Sequence, residues 1–434
     1  MTRLKIAYIG GGSTRAPGTV AAFIQRGADF AGSEIVLIDL EPERLEIVRT
    51  IAEKMARAAK IDLTISATTD RRAGLAGCNA VLTSFRPGGF EARRLDERIP
   101  LSHGVIGQET QGPGGFFMAL RSIHIMRGII EDIEAICPGA RLFNYTNPVN
   151  IVSQAVTLHS SIPTVSLCEG PLVFPSELVR GVGLEPEKLD TTMIGLNHGS
   201  WTVRHLYGGE DLMPHLERVL ERDQTSPRLP LEMRRWLELA VTMGSIPASY
   251  MRYYYFRDEV LAELQAKPTT RSEDILADVP DYWAHYREQA ATDRPVLDPL
   301  RSRGGLFELE LAVDVISAVF NDRREVWPVN VPNRGAIPGF ADDLVVEVPG
   351  FCDRHGVTPL TQPPLPRHLM GLTQMLAEYQ YLTAEAAWSG SRNDAIRALA
   401  ANPLVMSLAK AHSLYDEMSA AHRAYLPSRL LGDR

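Results

Sequence analysis

The sequence predicts an α/β chain: a doubly wound, mostly parallel sheet over residues 1–190, followed by a second, mostly helical α+β domain over 191–434. Three observations predict this. Short apolar runs alternate with helix-length segments through about the first 165 residues, the first run opens into a glycine-rich loop, and long helical stretches take over from about Thr191.

Leu4-Lys5-Ile6-Ala7-Tyr8-Ile9 is a strand entering Gly10-Gly11-Gly12-Ser13, and Glu34-Ile35-Val36-Leu37-Ile38-Asp39 is a second strand ending in an acid. Leu63 to Ala67 begins a third unit, and Ala80 to Phe85 reads as another, buried strand. Ala140 to Tyr145 and Thr164 to Cys168 extend the same sheet, so Asn147 and Cys168 fall at strand carboxyl ends, the edge where open α/β sheets bind ligands. Further on, Leu231 to Met243 and Leu311 to Phe320 are expected as helices, Asp293 to Pro299 as a break, Leu344 to Val348 as a strand and Thr361 to Pro366 as a structural crossover.

With 434 residues, 45% hydrophobic and 23% charged, the composition is that of a globular chain with ample core, which excludes disordered and fibrous classes. Four cysteines (Cys78, Cys137, Cys168 and Cys352) stand without paired spacing and are expected to be reduced thiols, leaving Cys168 free to act as a ligand. A net charge of -8 with no basic run speaks against nucleic acid as a partner. The start Met1-Thr2-Arg3-Leu4-Lys5 shows no leader pattern, and no apolar run reaches the roughly eighteen residues of a membrane span, so a cytoplasmic protein with no membrane partner is expected.

Gly10, Gly11, Gly12 and Ser13 lie between a strand and a helical segment, where glycines let backbone approach a pyrophosphate. An ordinary tight turn would look similar, and Arg15 replaces the third glycine of the usual fingerprint. Asp39 adds weight, because a carboxylate there accepts ribose hydroxyls and repels a 2′-phosphate, favouring NAD over NADP.

The segments Val165-Ser166-Leu167-Cys168-Glu169-Gly170-Pro171 and Gly195-Leu196-Asn197-His198-Gly199-Ser200-Trp201 offer a thiolate, a carboxylate and an imidazole. Alone, Cys168 reads as a small buried hydrophobe and His198 as a structural histidine; clustered with Asn147 and Asn197 at strand ends they read as metal ligands that leave positions open for a substrate's oxygens. Glu169 is either a solvated turn residue or a proton donor to a leaving group. Arg93 and Arg94 are either an anion clamp or a surface salt-bridged helix, and Gly107 to Gly115 reads as a loop whose backbone approaches a ligand. Tyr250 lies in an aromatic cluster that is either packing or, with a cation nearby, the location of a base.

The loop Gly10 to Ser13, Thr69-Asp70-Arg71-Arg72, Asp96 to Gly115, Asn144 to Pro148, Cys168, Gly195 to Trp201, Tyr250 to Tyr254 and Gly335-Ala336-Ile337-Pro338 together resemble glycoside hydrolase family 4, glycosidases that depend on NAD and manganese. The resemblance implies a Rossmann-type sheet of the lactate and malate dehydrogenase kind, Mn²⁺ on Cys168 and His198, and Arg93, Asn147 and Asn197 around the sugar. It implies oxidation at C3 by NAD, removal of the C2 proton by Tyr250, elimination of the C1 substituent, water addition and return of the hydride. The substrate implied is a small anionic glycoside, a 6-phospho-glucoside or a relative with another 6-substituent, and the assembly a homodimer or homotetramer.

Two positions depart from the family pattern. Glu169 keeps the carboxylate that α-acting members carry after the metal cysteine but is one methylene longer, while the Arg-Ile-Pro and Gly-Gln-Glu-Thr blocks are closer to the β-acting members. Ser102-His103 stands where Lys-Tyr is common. The competing class is an NAD-dependent 2-hydroxy-acid or sugar dehydrogenase on the same fold, which needs no metal cysteine.

Overall fold

The computed structural model describes residues 2–303 and 309–432. Twelve strands join in one sheet: β1 (Lys5–Ile9), β2 (Ser33–Ile38), β3 (Leu63–Thr68), β4 (Ala80–Thr83), β5 (Arg141–Asn144), β6 (Thr164–Ser166), β7 (Leu189–Leu196), β8 (Gly199–Tyr207), β9 (Glu210–Asp211), β10 (Glu325–Pro332), β11 (Val345–Asp353) and β12 (Gly356–Pro359). Their order is β3-β2-β1-β4-β5-β6-β10-β11-β7-β8-β9, with β12 on β11. The six strands from β3 to β6 pair in parallel and are covered by helices on both faces. The order reverses between β1 and β4, which opens a crevice at their carboxyl ends.

The sheet does not stop where its parallel half ends. β6 pairs antiparallel with β10 through Ser166 and Asn330, and β11 pairs with β7 through Glu347 and Gly195. The segment after residue 190 is therefore helical around a continuation of the first sheet, with more strand than expected; in β10, for example, Pro328 and Asn330 interrupt the apolar run.

The glycines from 112 to 115 have a different role from the one expected. The loop ends at Gln111, and Gly112 begins a 25-residue helix, Gly112–Ile136, that is buried along most of its length. A Cβ on Gly114 would lie 2.6 Å from the Asp96 carbonyl oxygen and closer still to that of Gln108, so these glycines admit neighbouring backbone, not a ligand. At Gly10, which has φ of 102°, a Cβ would collide with the Ser84 carbonyl; this close approach is what joins the loops after β1 and β4.

Arg121 of the same helix is fully buried and grips Asp96 with two hydrogen bonds of 2.9 and 2.6 Å, while His422 Nε2 stands 2.9 Å from Asp96 Oδ1. Burial opposes the Asp96 charge, but Arg121 and His422 outweigh it and hold the carboxyl below its ordinary range. All four cysteines are free thiols, and no described helix is long and apolar enough to cross a membrane.

Arg121→Met strands a buried carboxylate and is expected to cost about 3–5 kcal/mol of stability. Asp96→Leu with Arg121→Met removes both charges and recovers most of that loss; thermal and urea unfolding of the two variants measure it.

Candidate active site at the carboxyl edge of the sheet

One level of the sheet is polar from strand to strand. Thr83 Oγ1 donates to Asn144 Oδ1 (2.9 Å), and Asn144 Nδ2 donates to Ser166 Oγ (3.2 Å). Asn330, in register with Ser166, donates to Glu347 Oε1 at 3.4 Å; Glu347 also receives Asn197 Nδ2 at 2.9 Å and Ser200 Oγ at 2.8 Å. Burial pushes the Glu347 carboxyl up to about 7, against the three donors that favour its charge.

Just beyond this row the strand ends bring the candidate ligands together. Cys168 follows β6 and precedes the helix Gly170–Gly181, whose first amide points at its Sγ (3.5 Å). His198 occupies the turn between β7 and β8 with φ of 61°, a left-handed conformation uncommon outside glycine. Its Nε2 is 3.6 Å from Cys168 Sγ, and its Nδ1 is 2.9 Å from Thr110 Oγ1. Burial lowers the imidazole to about 4, so it is neutral. Burial, with Glu347 and Glu169 adding, pushes the thiol up to about 12, so ionisation requires a cation beside it.

Sulfur and nitrogen ligands at bond lengths of about 2.3 and 2.1 Å and a tetrahedral angle stand about 3.6 Å apart, so this pair fits a first-row divalent ion. Among the described residues, no group of three His, Cys, Asp or Glu is placed to hold a metal, so Cys168 and His198 would bind an ion with positions to spare.

Tyr250, on the short turn Ser249–Met251, lays its ring on His198 with centroids 3.9 Å apart and planes 15° from parallel. Burial raises its phenol above the usual range, with Cys168 and Glu109 adding; the charge of Arg93 works the other way. Glu169 is anchored by the Tyr145 hydroxyl, which donates to Oε1 at 2.7 Å. Asn147 precedes a cis proline, its carbonyl takes the Ser122 hydroxyl at 3.0 Å, and its side chain is half-buried. Asn197 gives its amide to Glu347 and thereby holds the His198 turn.

The two arginines separate. Arg94 makes a surface pair with Glu91, whereas Arg93 is 6% exposed and bridges Glu97 (2.7 Å) and Glu109 (2.6 Å). Glu109 also pairs with Arg86, and Arg303 lies near both with its guanidinium 4.5 Å from the Phe90 ring centroid. Burial, followed by the charges of Arg15 and Arg86, depresses Arg303 to about 9. Buried Arg86 Nη1 has no hydrogen-bond partner among the described residues. Cations here outnumber the carboxylates facing them, the electrostatics of a site for an anion.

At the other side of the crevice, Gly12 N donates to Asp39 Oδ2 at 2.9 Å and Leu40 N to Oδ1 at 2.7 Å, which fixes the carboxylate over the glycine loop. Ser13 Oγ is buried without a hydrogen-bond partner among the described residues, and the helix Ala16–Gln25 begins three residues later. This cradle suits a dinucleotide phosphate. Thr110, Glu347, Arg86 and Arg303 were not singled out from sequence; each joins the site through contacts distant in the chain.

The fold and this edge define a Rossmann-type α/β enzyme. The chain belongs to glycosyl hydrolase family 4: residues 5–184 match the Family 4 glycosyl hydrolases and residues 193–405 match the C-terminal domain of that family. It is 36% identical to a probable 6-phospho-beta-glucosidase of Bacillus subtilis, over 98% of this chain and 97% of that one. It is 32% identical to the 6-phospho-beta-glucosidase of Escherichia coli over the same shares. The 6-phospho-beta glucosidase of Thermotoga maritima, solved with NAD and glucose-6-phosphate, superposes with a TM-score of 0.85 at 26% identity, covering 98% of this chain and 99% of that one. A second structure of it, with manganese, NAD⁺ and glucose-6-phosphate, gives 0.83 at 25% identity and the same coverage.

Cys168→Ser and His198→Ala are each expected to lose Mn²⁺ binding in an electron paramagnetic resonance titration while keeping the circular dichroism of the parent, since both lie beyond strand ends. Asp39→Ala is expected to weaken NAD by roughly 10–100-fold, as a charged acceptor is lost; calorimetric titration with NAD measures it.

Proposed function

We propose that the chain hydrolyses 6-phospho-glucosides with NAD and Mn²⁺ as cofactors, residues 1–190 holding the dinucleotide and 191–434 completing the sugar site. The observation that carries this reading is the meeting, on one sheet edge, of the Cys168–His198 pair, the Tyr250 ring and an arginine-rich pocket. The identities with 6-phospho-beta-glucosidases and the NAD, manganese and glucose-6-phosphate in the Thermotoga maritima structures support it.

The cofactors supply a hydride acceptor for sugar C3 and a Lewis acid for the neighbouring oxygens. The remaining work falls to side chains. Arg86, Arg93 and Arg303 bind the 6-phosphate and so fix which face of the sugar meets the Tyr250 phenol. Tyr250 takes the C2 proton; its pKa stays raised with Arg93 nearby, and a cation on the stacked His198 would bring it toward working range. Glu169, held by Tyr145, delivers a proton to the departing glycosidic oxygen. Asn147 and Asn197 hydrogen-bond the sugar hydroxyls. The charged substrate does not cross a bilayer unaided, which accords with a cytoplasmic enzyme, and a homodimer or homotetramer is the proposed assembly, read by light scattering.

Nitrophenyl α- and β-glucosides with and without a 6-phosphate test the reading. Turnover of the phosphorylated compounds alone, dependent on NAD and Mn²⁺ and without net NADH, is expected; NADH accumulating in step with turnover would reveal a dehydrogenase instead. In D₂O the released sugar should carry deuterium at C2, and an unlabelled product argues against proton removal there. Arg303→Met should raise KM for the phosphorylated substrate by about 10–100-fold with a smaller change in kcat, the expected loss of a charged hydrogen bond used in binding.

A further inference from the structure

His198 has two ring nitrogens, and only one can face a metal ion as a lone pair. The residues behind the ring decide which. Thr110 Oγ1 lies 2.9 Å from Nδ1 and is also 3.1 Å from Gln108 Oε1. That Gln108 atom receives the backbone amides of Thr110 (2.6 Å) and Gln111 (2.9 Å), which can only donate, so it is the amide oxygen and carries no proton. The hydroxyl proton between Thr110 and Gln108 therefore belongs to Thr110.

A threonine hydroxyl has one proton, so once it is given to Gln108, Oγ1 meets His198 with lone pairs only. His198 Nδ1 must then carry the ring's proton, leaving Nε2 as a bare lone pair 3.6 Å from Cys168 Sγ.

We infer that Gln108 and Thr110 are positioning residues that hold His198 as its Nδ1-protonated tautomer and so present Nε2 as the ligand. The amides that orient Gln108 stand just before the buried helix Gly112–Ile136, so the proton direction is set by a rigid part of the fold. Outer partners of this kind orient ligating histidines and raise their basicity. The inference rests on the proposed role of Cys168 and His198 as metal ligands.

Long-range ¹⁵N–¹H correlation spectra of metal-free, histidine-labelled protein read the tautomer directly, with His198 assigned by its absence in His198→Ala. The Nδ1–H pattern is expected, and an Nε2–H pattern overturns the inference. In Mn²⁺ titrations, Thr110→Val should weaken binding by about 10–100-fold, the usual cost of losing an outer partner. Thr110→Ser should restore it, and NAD affinity should be unchanged in both. Wild-type Mn²⁺ affinity in Thr110→Val, or a Thr110→Ser variant as weak as Thr110→Val, overturns the positioning role. If His198→Ala binds Mn²⁺ as tightly as the parent, the metal reading itself fails and this inference with it; if His198→Ala loses the ion while Thr110→Val keeps it, only the positioning role fails.

Discussion

The buried polar row through Thr83, Asn144, Ser166, Asn330, Glu347 and Ser200 is the constraint from which the site is built. A one-residue slip of any strand would turn its member to the opposite face and leave buried donors and acceptors unmatched, so the row fixes register where β-pairing alone would tolerate error. It spans strands far apart in the chain. Because Glu347 holds both Asn197 and Ser200, the turn carrying His198 is locked to the strands beside it, and the left-handed φ of His198 is sustained by what surrounds it.

Charge is distributed unevenly along the same edge. At one end the Cys168 thiol lies near two carboxylates and cannot ionise without a cation; at the other, Arg86, Arg93 and Arg303 share too few acids. Each end is electrostatically incomplete by itself, and a sugar phosphate whose hydroxyls reach a metal ion would complete both at once. The stacking of Tyr250 on His198 places the phenol between these two fields.

What could be read from the sequence follows from how local the signal is. β1 through β6 were legible because each is an apolar run bounded by loop residues, and Cys168, His198 and Tyr250 because they sit in motifs of several residues. β10 was missed because Pro328 and Asn330 break its run, yet both fit a strand whose neighbours satisfy it. Thr110 and Glu347 could not be reached by spacing, since their partners lie 88 and 150 residues away. The run Gly107 to Gly115 suggested a ligand loop, but the small size of Gly114 and Gly115 serves the backbone of Asp96, Gln108 and Thr110. Arg93 shows the limit of reading a charge run: Arg93 and Arg94 are adjacent letters about 100° apart around one helix, and that turn takes the first into the interior and leaves the second at the surface.

The unbroken sheet has a mechanical consequence. In enzymes with two separately hinged lobes, a cleft opens and shuts around the reactants; here β6, β10, β11 and β7 are stitched side by side by backbone hydrogen bonds, so the dinucleotide crevice and the His198 turn cannot swing apart without breaking the sheet. The span from crevice to turn is a beam, not a jaw. Access to the edge must then be governed by the helices and loops lying over it, while the spacing between the crevice and the His198 turn stays fixed.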